Sequence, residues 1–414
     1  MLATLISLTA LLTTVLLMLL GNGLLGSLLG LKLAQTGAAP LASALVMSGY
    51  YAGLVAGALL CTSIIRQVGH IRAFAAFCAS NISLTLLLSL TDLPAVWVLL
   101  RFLTGLSMMG AYMVIESWLN ERADASMRGR VFSVYMVVSY TGLGGGQFLL
   151  GLSDTSNTLF ILAALLFSLC LLPIVLTRAV IPKPMAQVSF NIRHLFRLAP
   201  HAIYGCVAAG LVNGAFYALG PVYAFAREGD AALVGAFMGV TIFGGLLLQW
   251  PLGLLSDRFK RRLIMQLLGL ALAVASLLQF SLHSLLLELI VACLWGGLAF
   301  TIYPVAVAYA NDRISADELV PAAGALLMAY SGGAALGAIG ASQVMRAAGA
   351  GGLYLFCALI GLLLALLVAR RRGAERVATP DQGSFIPVPR TSTVINQLDP
   401  RAEETEPMPS ANRP

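Results

Sequence analysis

The sequence carries too little charge for a chain that folds in water. Only 10% of its 414 residues are Asp, Glu, Lys or Arg, whereas 59% are hydrophobic, and the mean hydropathy is +0.89. A typical soluble domain carries about 25% charged residues. This shortage excludes a fold with a water-facing surface on all sides, and it predicts an integral membrane protein with several spanning segments.

Cysteine and histidine are scarce, and neither is spaced as metal ligands are. The six cysteines all lie inside apolar runs without any CxxC, and the four histidines stand at the ends of those runs or in loops. Cysteines in such surroundings act as small packing residues. The phosphate-binding pattern Gly-x-x-x-x-Gly-Lys-Ser/Thr is also missing. We therefore expect no metal, no cofactor and no ATP-driven step.

Two further protein classes lack support in the composition. The net charge is +7, but the cations do not form a basic stripe interleaved with aromatic residues, so nucleic-acid binding is not indicated. An enzyme needs an acid, a base or a nucleophile that converge at one site, and no such set stands out among the apolar runs. We therefore do not expect an enzyme.

Apolar runs of about 20 residues, long enough to cross a bilayer, occur twelve times. A polar connector at 178–201 separates the first six runs from the last six. The Pro-rich, charged segment 370–414 is predicted to be a disordered tail. The predicted spans are 4–31, 41–65, 73–91, 94–119, 130–152, 158–177, 202–224, 233–255, 263–282, 284–309, 319–345 and 352–369.

The cations fix the predicted orientation of these spans. If both termini are cytoplasmic, only Lys32, Arg227 and Arg346 fall on the outer side and Arg101 lies within a span, so every other Lys and Arg is inside. Lys and Arg are retained in cytoplasmic loops. We therefore predict a multi-pass protein of a bacterial inner membrane with both termini in the cytoplasm.

The loop between spans 8 and 9 carries the most specific motif. Its sequence is Gly253-Leu-Leu-Ser-Asp257-Arg258-Phe-Lys260-Arg261-Arg262, which resembles the G-x-x-x-D-R-x-G-R-R loop of the major facilitator superfamily, with Lys260 in place of the second glycine. Arg101-Phe-Leu-Thr-Gly105 in span 4 is similar to a second motif of that family. Glu116-Ser-Trp118 and Arg128-Gly-Arg130 most resemble its YcaD-like bacterial branch.

The resemblance implies an all-α membrane fold of two pseudo-symmetric six-helix bundles with a substrate site near the midplane. The bundles would be 1–177 and 202–369. An offset of 191 residues brings Asn22-Gly23 onto Asn213-Gly214, which agrees with an internal duplication. The implied function is secondary active transport of a small organic molecule by a monomer in the lipid bilayer.

Spans 1, 4, 7 and 10 line the central cavity in this family, so polar and aromatic residues in them are candidates for substrate contact. Arg101 lies about 10 Å below the outer end of span 4 at 1.5 Å per residue. We interpret it as an anchor for an anionic substrate group, as a charge partner for the proton-carrying site, or as a structural arginine that satisfies carbonyls and a neighbouring helix. The full set is Asn22, Arg101, Tyr112, Asn213, Tyr217, Trp295 and Tyr303.

Acidic groups inside spans are costly and are treated as functional hypotheses. Glu116 lies near the inner end of span 4, where it is a proton-coupling candidate or a partner for Arg128 or Arg130. Glu288 enters span 10 at a depth similar to that of Arg101, and the two could pair across the outer cavity. Span 1 has no Asp or Glu, so one frequent position for a coupling acid in this family is empty.

Charged residues at the inner ends of the spans are candidates for a cytoplasmic gate. In the family the loop between spans 8 and 9 packs against the start of span 5, which places Asp257 and Arg258 beside Arg128 and Arg130. An acid at a helix N-terminus with cations nearby is favourable. The other half carries the opposite signs, because Arg66 occupies the usual Asp position and acids precede span 11. The second predicted latch therefore pairs Arg66 with Asp317 or Glu318.

The sequence leaves several functions open. Proton-coupled export is the leading interpretation, with protons as the coupling ion. A facilitator or an uptake symporter has the same sequence features, because direction cannot be read from the residues. A membrane enzyme or a non-transporting sensor is the alternative from a different class, although a folded cytoplasmic domain that would favour a sensor is not predicted.

We predict that the charge-reversed latch forms when the cavity faces outward and opens when it faces inward. Cysteines placed at 66 and at 317 or 318 should cross-link under conditions that favour the outward-facing state. A cross-linking survey that joins these positions in no state would contradict the latch.

Overall fold

The computed structural model describes residues 2–122, 128–153, 155–176, 192–315, 318–370, 382–386 and 390–392. All regular structure in these ranges is helical. The helices are α1 (Leu2–Gln35), α2 (Pro40–Val68), α3 (His70–Ser89), α4 (Pro94–Arg122), α5 (Arg128–Phe148), α6 (Ser156–Leu169), α7 (Leu171–Val175), α8 (Ile192–Leu198), α9 (Pro200–Glu228), α10 (Ala231–Arg258), α11 (Arg261–Ser281), α12 (Leu285–Asn311), α13 (Leu319–Ala348) and α14 (Gly352–Arg370).

Eleven spans among the described residues are long and apolar enough to cross a membrane. One of them, Ser156–Val175, comprises α6 and α7. The prediction of a twelve-span α-helical membrane fold is thereby confirmed in its class. The predicted span that is not among these eleven is the fifth, 130–152. It is formed by α5, whose Arg128-Gly-Arg130 start and Gly144–Gly146 run lower its apolar character. A 3-10 turn, Leu149–Leu152, extends it.

The short turns between spans depend on residues with defined backbone preferences. Pro40, Pro94 and Pro200 each stand at the start of a helix, where the missing N–H of proline would have had no partner. Gly69 separates α2 from α3 with φ 84°, and its N–H donates to the Ile65 carbonyl. A positive φ is open to glycine because it has no Cβ. Such turns allow successive spans to run antiparallel.

Glycines also set the closest helix contacts. A Cβ on Gly244 of α10 would overlap the Cys293 carbonyl oxygen of α12, and one on Gly296 of α12 would overlap the Thr241 carbonyl of α10. The same reciprocal arrangement joins α2 and α4 in the other half. Small residues let the backbones of two helices approach each other closely in membranes. Van der Waals packing then stabilises their association, because the hydrophobic effect does not drive helices together in lipid.

The two halves, α1–α7 and α9–α14, meet at their outer ends, where "outer" means the side opposite the predicted cytoplasmic termini. Gly30 of α1 packs on Pro221 of α9. A Cβ added to Gly30 would lie only 3.1 Å from the Cβ of Pro221. Ser48 of α2 donates a hydrogen bond of 2.7 Å to the Ala335 carbonyl of α13. The halves are therefore closed on the outer side, as in an inward-facing transporter.

Two short segments of the tail lie inside the helical body, at its inner end. Residues 382–386 contact the α10–α12 region, and 390–392 contact α4, α5 and α13. The prediction of a disordered tail over 370–414 is therefore corrected for these eight residues. Composition missed the placement because the stabilising partners, buried acids and aromatic rings, belong to other parts of the chain.

We predict that Gly296→Val destabilises the fold, since the new side chain must displace the Thr241 backbone. Overpacking of this kind typically costs about 1–3 kcal/mol, so the melting temperature in detergent should fall. Gly332→Ala on α13 is the matched control, because a Cβ there meets nothing within 4 Å. Equal melting temperatures for the two variants would refute this account of the α10–α12 contact.

Candidate functional site

A cavity lies between the two halves and has about 150 Å³ of free volume with the tail in place. A cavity of that size can hold a molecule such as benzene. Both halves and the tail contribute to its wall. The lining residues are Leu19, Asn22, Gly23, Gly26, Ser27, Met47, Tyr50, Tyr51, Leu54, Arg101, Tyr112, Met136, Ser139, Tyr140, Leu143, Gln147, Tyr217, Tyr330, Arg390 and Thr391.

Arg101 of α4 lines this cavity and is only 1% exposed. Its Nη2 contacts the Met47 sulfur at 3.6 Å, and its guanidinium carbon lies 4.3 Å from the centre of the Tyr50 ring. Its Nε and Nη1 have no hydrogen-bond partner within the described part of the chain. The guanidinium is thus buried on a sulfur and an aromatic ring, and no carboxylate of the described residues pairs with it.

Three other predicted substrate contacts also line the cavity, namely Asn22, Tyr112 and Tyr217. Asn22 donates from Nδ2 to the Tyr50 hydroxyl at 3.4 Å. Tyr217 of α9 stacks on Phe300 of α12, with 5.8 Å between ring centres. Amide and hydroxyl groups therefore reach the cavity from both halves.

The remaining three predicted contacts lie behind the cavity wall. Trp295 donates from Nε1 to the Ser276 hydroxyl at 2.8 Å, within the second half. Tyr303 packs edge-on against Tyr330 with 5.1 Å between ring centres. Asn213 is fully buried on α9. Helix membership alone put these residues in the candidate set, but their faces of α9 and α12 turn toward neighbouring helices.

Glu116 is fully buried near the inner end of α4. It accepts a hydrogen bond of 2.8 Å from the Tyr135 hydroxyl. Thr391 and Ser392 of the tail donate further hydrogen bonds, one to each carboxylate oxygen. A proton-coupling candidate thus contacts the tail, a contact that no sequence pattern predicts. The alternative partner Arg128 has its side chain outside the described part.

Glu288 does not approach Arg101. It forms an ion pair with Arg227, at the outer end of α9, and its side chain is 3% exposed. Arg227 also donates to the Leu282 carbonyl at 2.6 Å. The pairing of Glu288 with Arg101, which the sequence left open, is therefore not seen in this structure, because Glu288 is bound by Arg227 at the end of α9.

The motif between α10 and α11 forms a charged network at the inner end. Asp257 contacts Arg261 at 3.2 Å, and Arg261 contacts Asp312 of the α12 terminus at 2.9 Å. The side chains of Arg261 and Asp312 are fully buried. The Gly383 N–H donates to Asp312 and the Phe385 N–H donates to Asp257 at 3.0 Å. The tail backbone is therefore a third member of this network.

Where the side chains are described, the predicted gate pairs do not meet, and no ion pair joins Asp257 to Arg130. Arg258 and Arg130 are exposed on the inner surface, as is Arg66. No hydrogen bond or ion pair joins Arg66 to Glu318, both of which lie in the described ranges, and Asp317 falls outside those ranges. Both latches stay predictions, since they were expected to be open when the cavity faces inward.

Glu318 pairs instead with the connector helix α8. Its Oε1 lies 2.9 Å from His194 Nε2, and its Oε2 accepts from the Ser315 hydroxyl at 3.0 Å. Burial acts to raise the pKa of Glu318, but the hydrogen bonds from Ser315 and His194 outweigh it and lower the pKa below its ordinary value. Glu318 is therefore held as a carboxylate at neutral pH.

Several cavity residues were missed by the sequence reasoning. Tyr140 and Tyr330 lie 190 residues apart, close to the offset that relates the two halves, and both line the cavity, so the duplication could have identified them. Gln147 binds Ser27 and the Gly23 carbonyl across α1 and α5. No sequence pattern indicates Arg390, because the tail reaches the cavity only in the folded chain.

Comparison with known proteins settles the family. The profile of the Major Facilitator Superfamily matches residues 11–296 and 205–400. The chain belongs to the major facilitator superfamily. It is a multi-pass membrane transporter and not an enzyme, which confirms those two predictions.

The relatives of this transporter agree with that conclusion. The uncharacterized MFS-type transporter YcaD of Escherichia coli O6:K15:H31 is 30% identical, with 88% of this chain and 95% of YcaD covered. YcaD of Salmonella arizonae is 29% identical with the same coverage. A crystal structure of the nucleoside transporter NupG has a TM-score of 0.71 at 15% identity, and that of its D323A mutant 0.74 at 14%. Each NupG comparison covers 88% of the transporter and at least 98% of NupG, and at this identity it shows the shared fold.

We predict that Asp312→Ala strongly destabilises the transporter, since it leaves Arg261 buried with less compensation. Breaking one side of a buried ion pair costs about 3–5 kcal/mol, measurable as a lower melting temperature in detergent. Asp92→Ala breaks the Lys32–Asp92 pair, in which the Asp92 side chain is 75% exposed, and should cost at most about 1 kcal/mol. Comparable decreases in melting temperature in both variants would show that the buried ion pair contributes no more stability than the exposed one.

Proposed function

We propose that the transporter moves a small organic molecule with an anionic group across the bacterial inner membrane, by alternating access and with export driven by protons. Arg101 carries this proposal. It is a buried guanidinium in a central cavity, and two of its nitrogens, Nε and Nη1, lack hydrogen-bond partners in the described chain. A charge held in such a place requires a compensating group, and a substrate carboxylate or similar anion would supply it.

The residues that line the cavity support the choice of a small, partly aromatic or polar substrate. Tyr50, Tyr112 and Tyr217 provide ring faces and hydroxyl groups, and Asn22 adds an amide. Such sites combine apolar walls with a few polar groups that fix orientation. NupG is described as a nucleoside transporter, but an uncharged nucleoside would leave Arg101 uncompensated, so we favour an anion over that class.

Glu116 is the proposed proton carrier. It is buried in the inner half of the transporter and is held by hydroxyl donors, with Tyr135 as its donor within the helical body. An acidic group buried inside a membrane span is a functional hypothesis by default, which supports this role. Glu288 is ion-paired with Arg227, which supports a structural role at the outer end.

The inward-facing arrangement supports alternating access. The halves touch at Gly30–Pro221 and Ser48–Ala335 on the outer side, while the cavity is bounded on the inner side by tail residues rather than by packed helices. Closing the inner ends would bring the Asp257 region toward the start of α5, where the predicted gate would form. The distribution of cations supports cytoplasmic termini, and we propose that a monomer suffices, as the cavity lies within one chain.

We predict that Arg101→Leu lowers transport of anionic substrates at least about tenfold, the loss expected when one charged contact of about 1.4 kcal/mol disappears. The measurement is counterflow into proteoliposomes with a panel of carboxylates and sulfonates, with neutral nucleosides for comparison. Arg101→Lys should retain part of the activity. Arg346→Gln is the matched control, because it removes one cation from the exposed outer end of α13. A panel transported equally by Arg101→Leu and by the unchanged protein would overturn the anion proposal.

Proton coupling is tested in the same vesicles with a pH-sensitive dye. Substrate-dependent proton movement should occur in the unchanged protein and disappear in Glu116→Gln, while counterflow persists. Counterflow without any proton movement in the unchanged protein would favour a facilitator. Proton movement in the direction of uptake would favour a symporter.

A further inference from the structure

The tail places a cation in the transport cavity. Arg390 lies beside aromatic rings from three helices, and its guanidinium carbon is 4.8 Å from the centre of the Phe300 ring and 5.6 Å from that of Tyr330. Its Nη1 donates to the Tyr330 hydroxyl and its Nη2 to the Tyr140 hydroxyl, each at 3.3 Å. A guanidinium over a ring face with two hydroxyl acceptors is a favourable cation–π geometry.

The aromatic group is built by the helices and not by the tail. Phe300 stacks on Tyr217 and packs against Tyr140 with 6.3 Å between ring centres. Tyr140 in turn donates to Gln249 Oε1 at 2.6 Å, which leaves the lone pairs of its hydroxyl directed toward a donor in the cavity. The arrangement is therefore a preformed cation site that joins α5, α9, α12 and α13.

Two further contacts fix the tail at this site. Next to Arg390, the hydroxyls of Thr391 and Ser392 bind the Glu116 carboxylate. Upstream, the Phe385 ring packs on Gly253 and its N–H binds Asp257. The tail thus connects acids of both halves, and its cation is held at a defined depth.

We infer that the aromatic site around Phe300 is a substrate subsite for a guanidinium or alkylammonium group, and that Arg390 is its tethered competitor. This inference rests on the proposed function, since a substrate subsite presupposes transport. Together with Arg101, the site favours an amphoteric substrate, with its anion at Arg101 and its cation at the aromatic rings.

The tether explains why the competitor is effective. A group that belongs to the same chain acts at an effective concentration on the order of millimolar, so a free cation must outcompete it. The free volume of about 150 Å³ beside the tail is also small for a substrate that spans both subsites. Because the tail bridges the halves, the inner ends can close only after it has left.

The test is direct binding of agmatine, a guanidinium compound without a carboxylate, to the purified full-length protein. Arg390→Gln should bind agmatine about tenfold more tightly than the unchanged protein, since the tethered competitor at millimolar effective concentration is gone. Arg390→Lys should give an intermediate value, because an ammonium retains the ring contact but cannot bridge two hydroxyls in the same way. 1,4-Butanediol, which has no cation, should bind none of the variants.

Two control variants separate the subsite from general effects of charge. Arg401→Gln removes the same charge from the tail and should leave agmatine affinity unchanged. Tyr330→Phe in the Arg390→Gln background removes one hydroxyl with little change of shape, and it should weaken agmatine binding about threefold or more, as the loss of one hydrogen bond predicts.

The outcomes distinguish this inference from the proposed function. If Arg390→Gln binds agmatine no better than the unchanged protein, or if Arg401→Gln has the same effect, the subsite is refuted. Tight agmatine binding in a protein that transports nothing in proteoliposomes would retain the subsite and overturn the transport proposal. Transport of anions without agmatine binding would retain the transport proposal and overturn the subsite.

Discussion

Charge compensation in a dry interior is the constraint on which this structure depends. Between lipid-facing helices each buried charge needs a partner, because water does not reach it. Arg261 meets Asp312, and Arg227 meets Glu288. Arg101 has neither acid nor carbonyl within the described chain, and that exception is what distinguishes the central cavity from the structural ion pairs at its two ends.

Helix packing makes the cavity possible. Glycines of α2, α4, α10 and α12 bring backbones together so closely that a Cβ would overlap a carbonyl. Rigid contacts of this kind hold each half as a unit, while the interface between halves stays open on the inner side. The same rigidity keeps Tyr140, Phe300 and Tyr330 in place around a cation that does not belong to any helix.

The tail changes the interpretation of the inner gate. Asp257 and Glu116 were predicted as gate and proton-coupling residues from their positions at helix ends, and in this structure both are bound by the tail. The tail adds to the helix contacts of these acids, because its backbone N–H groups and short hydroxyl side chains can donate to carboxylates that Arg261 and Tyr135 already bind. Gating and tail position are therefore coupled through the same two acids.

The amino-acid sequence by itself determined the class of fold, its spans and its family, because the hydrophobic length of a span and a loop motif such as Gly253–Arg262 are local in the chain. It also placed Asn22, Arg101, Tyr112 and Tyr217 at the cavity, where a polar residue in an apolar run is conspicuous. Tertiary structure alone decided that Trp295 and Tyr303 face other helices, that Glu288 pairs with Arg227, and that Arg390 enters the cavity. Those outcomes depend on helix rotation and on contacts between residues far apart in the chain, which no local pattern encodes.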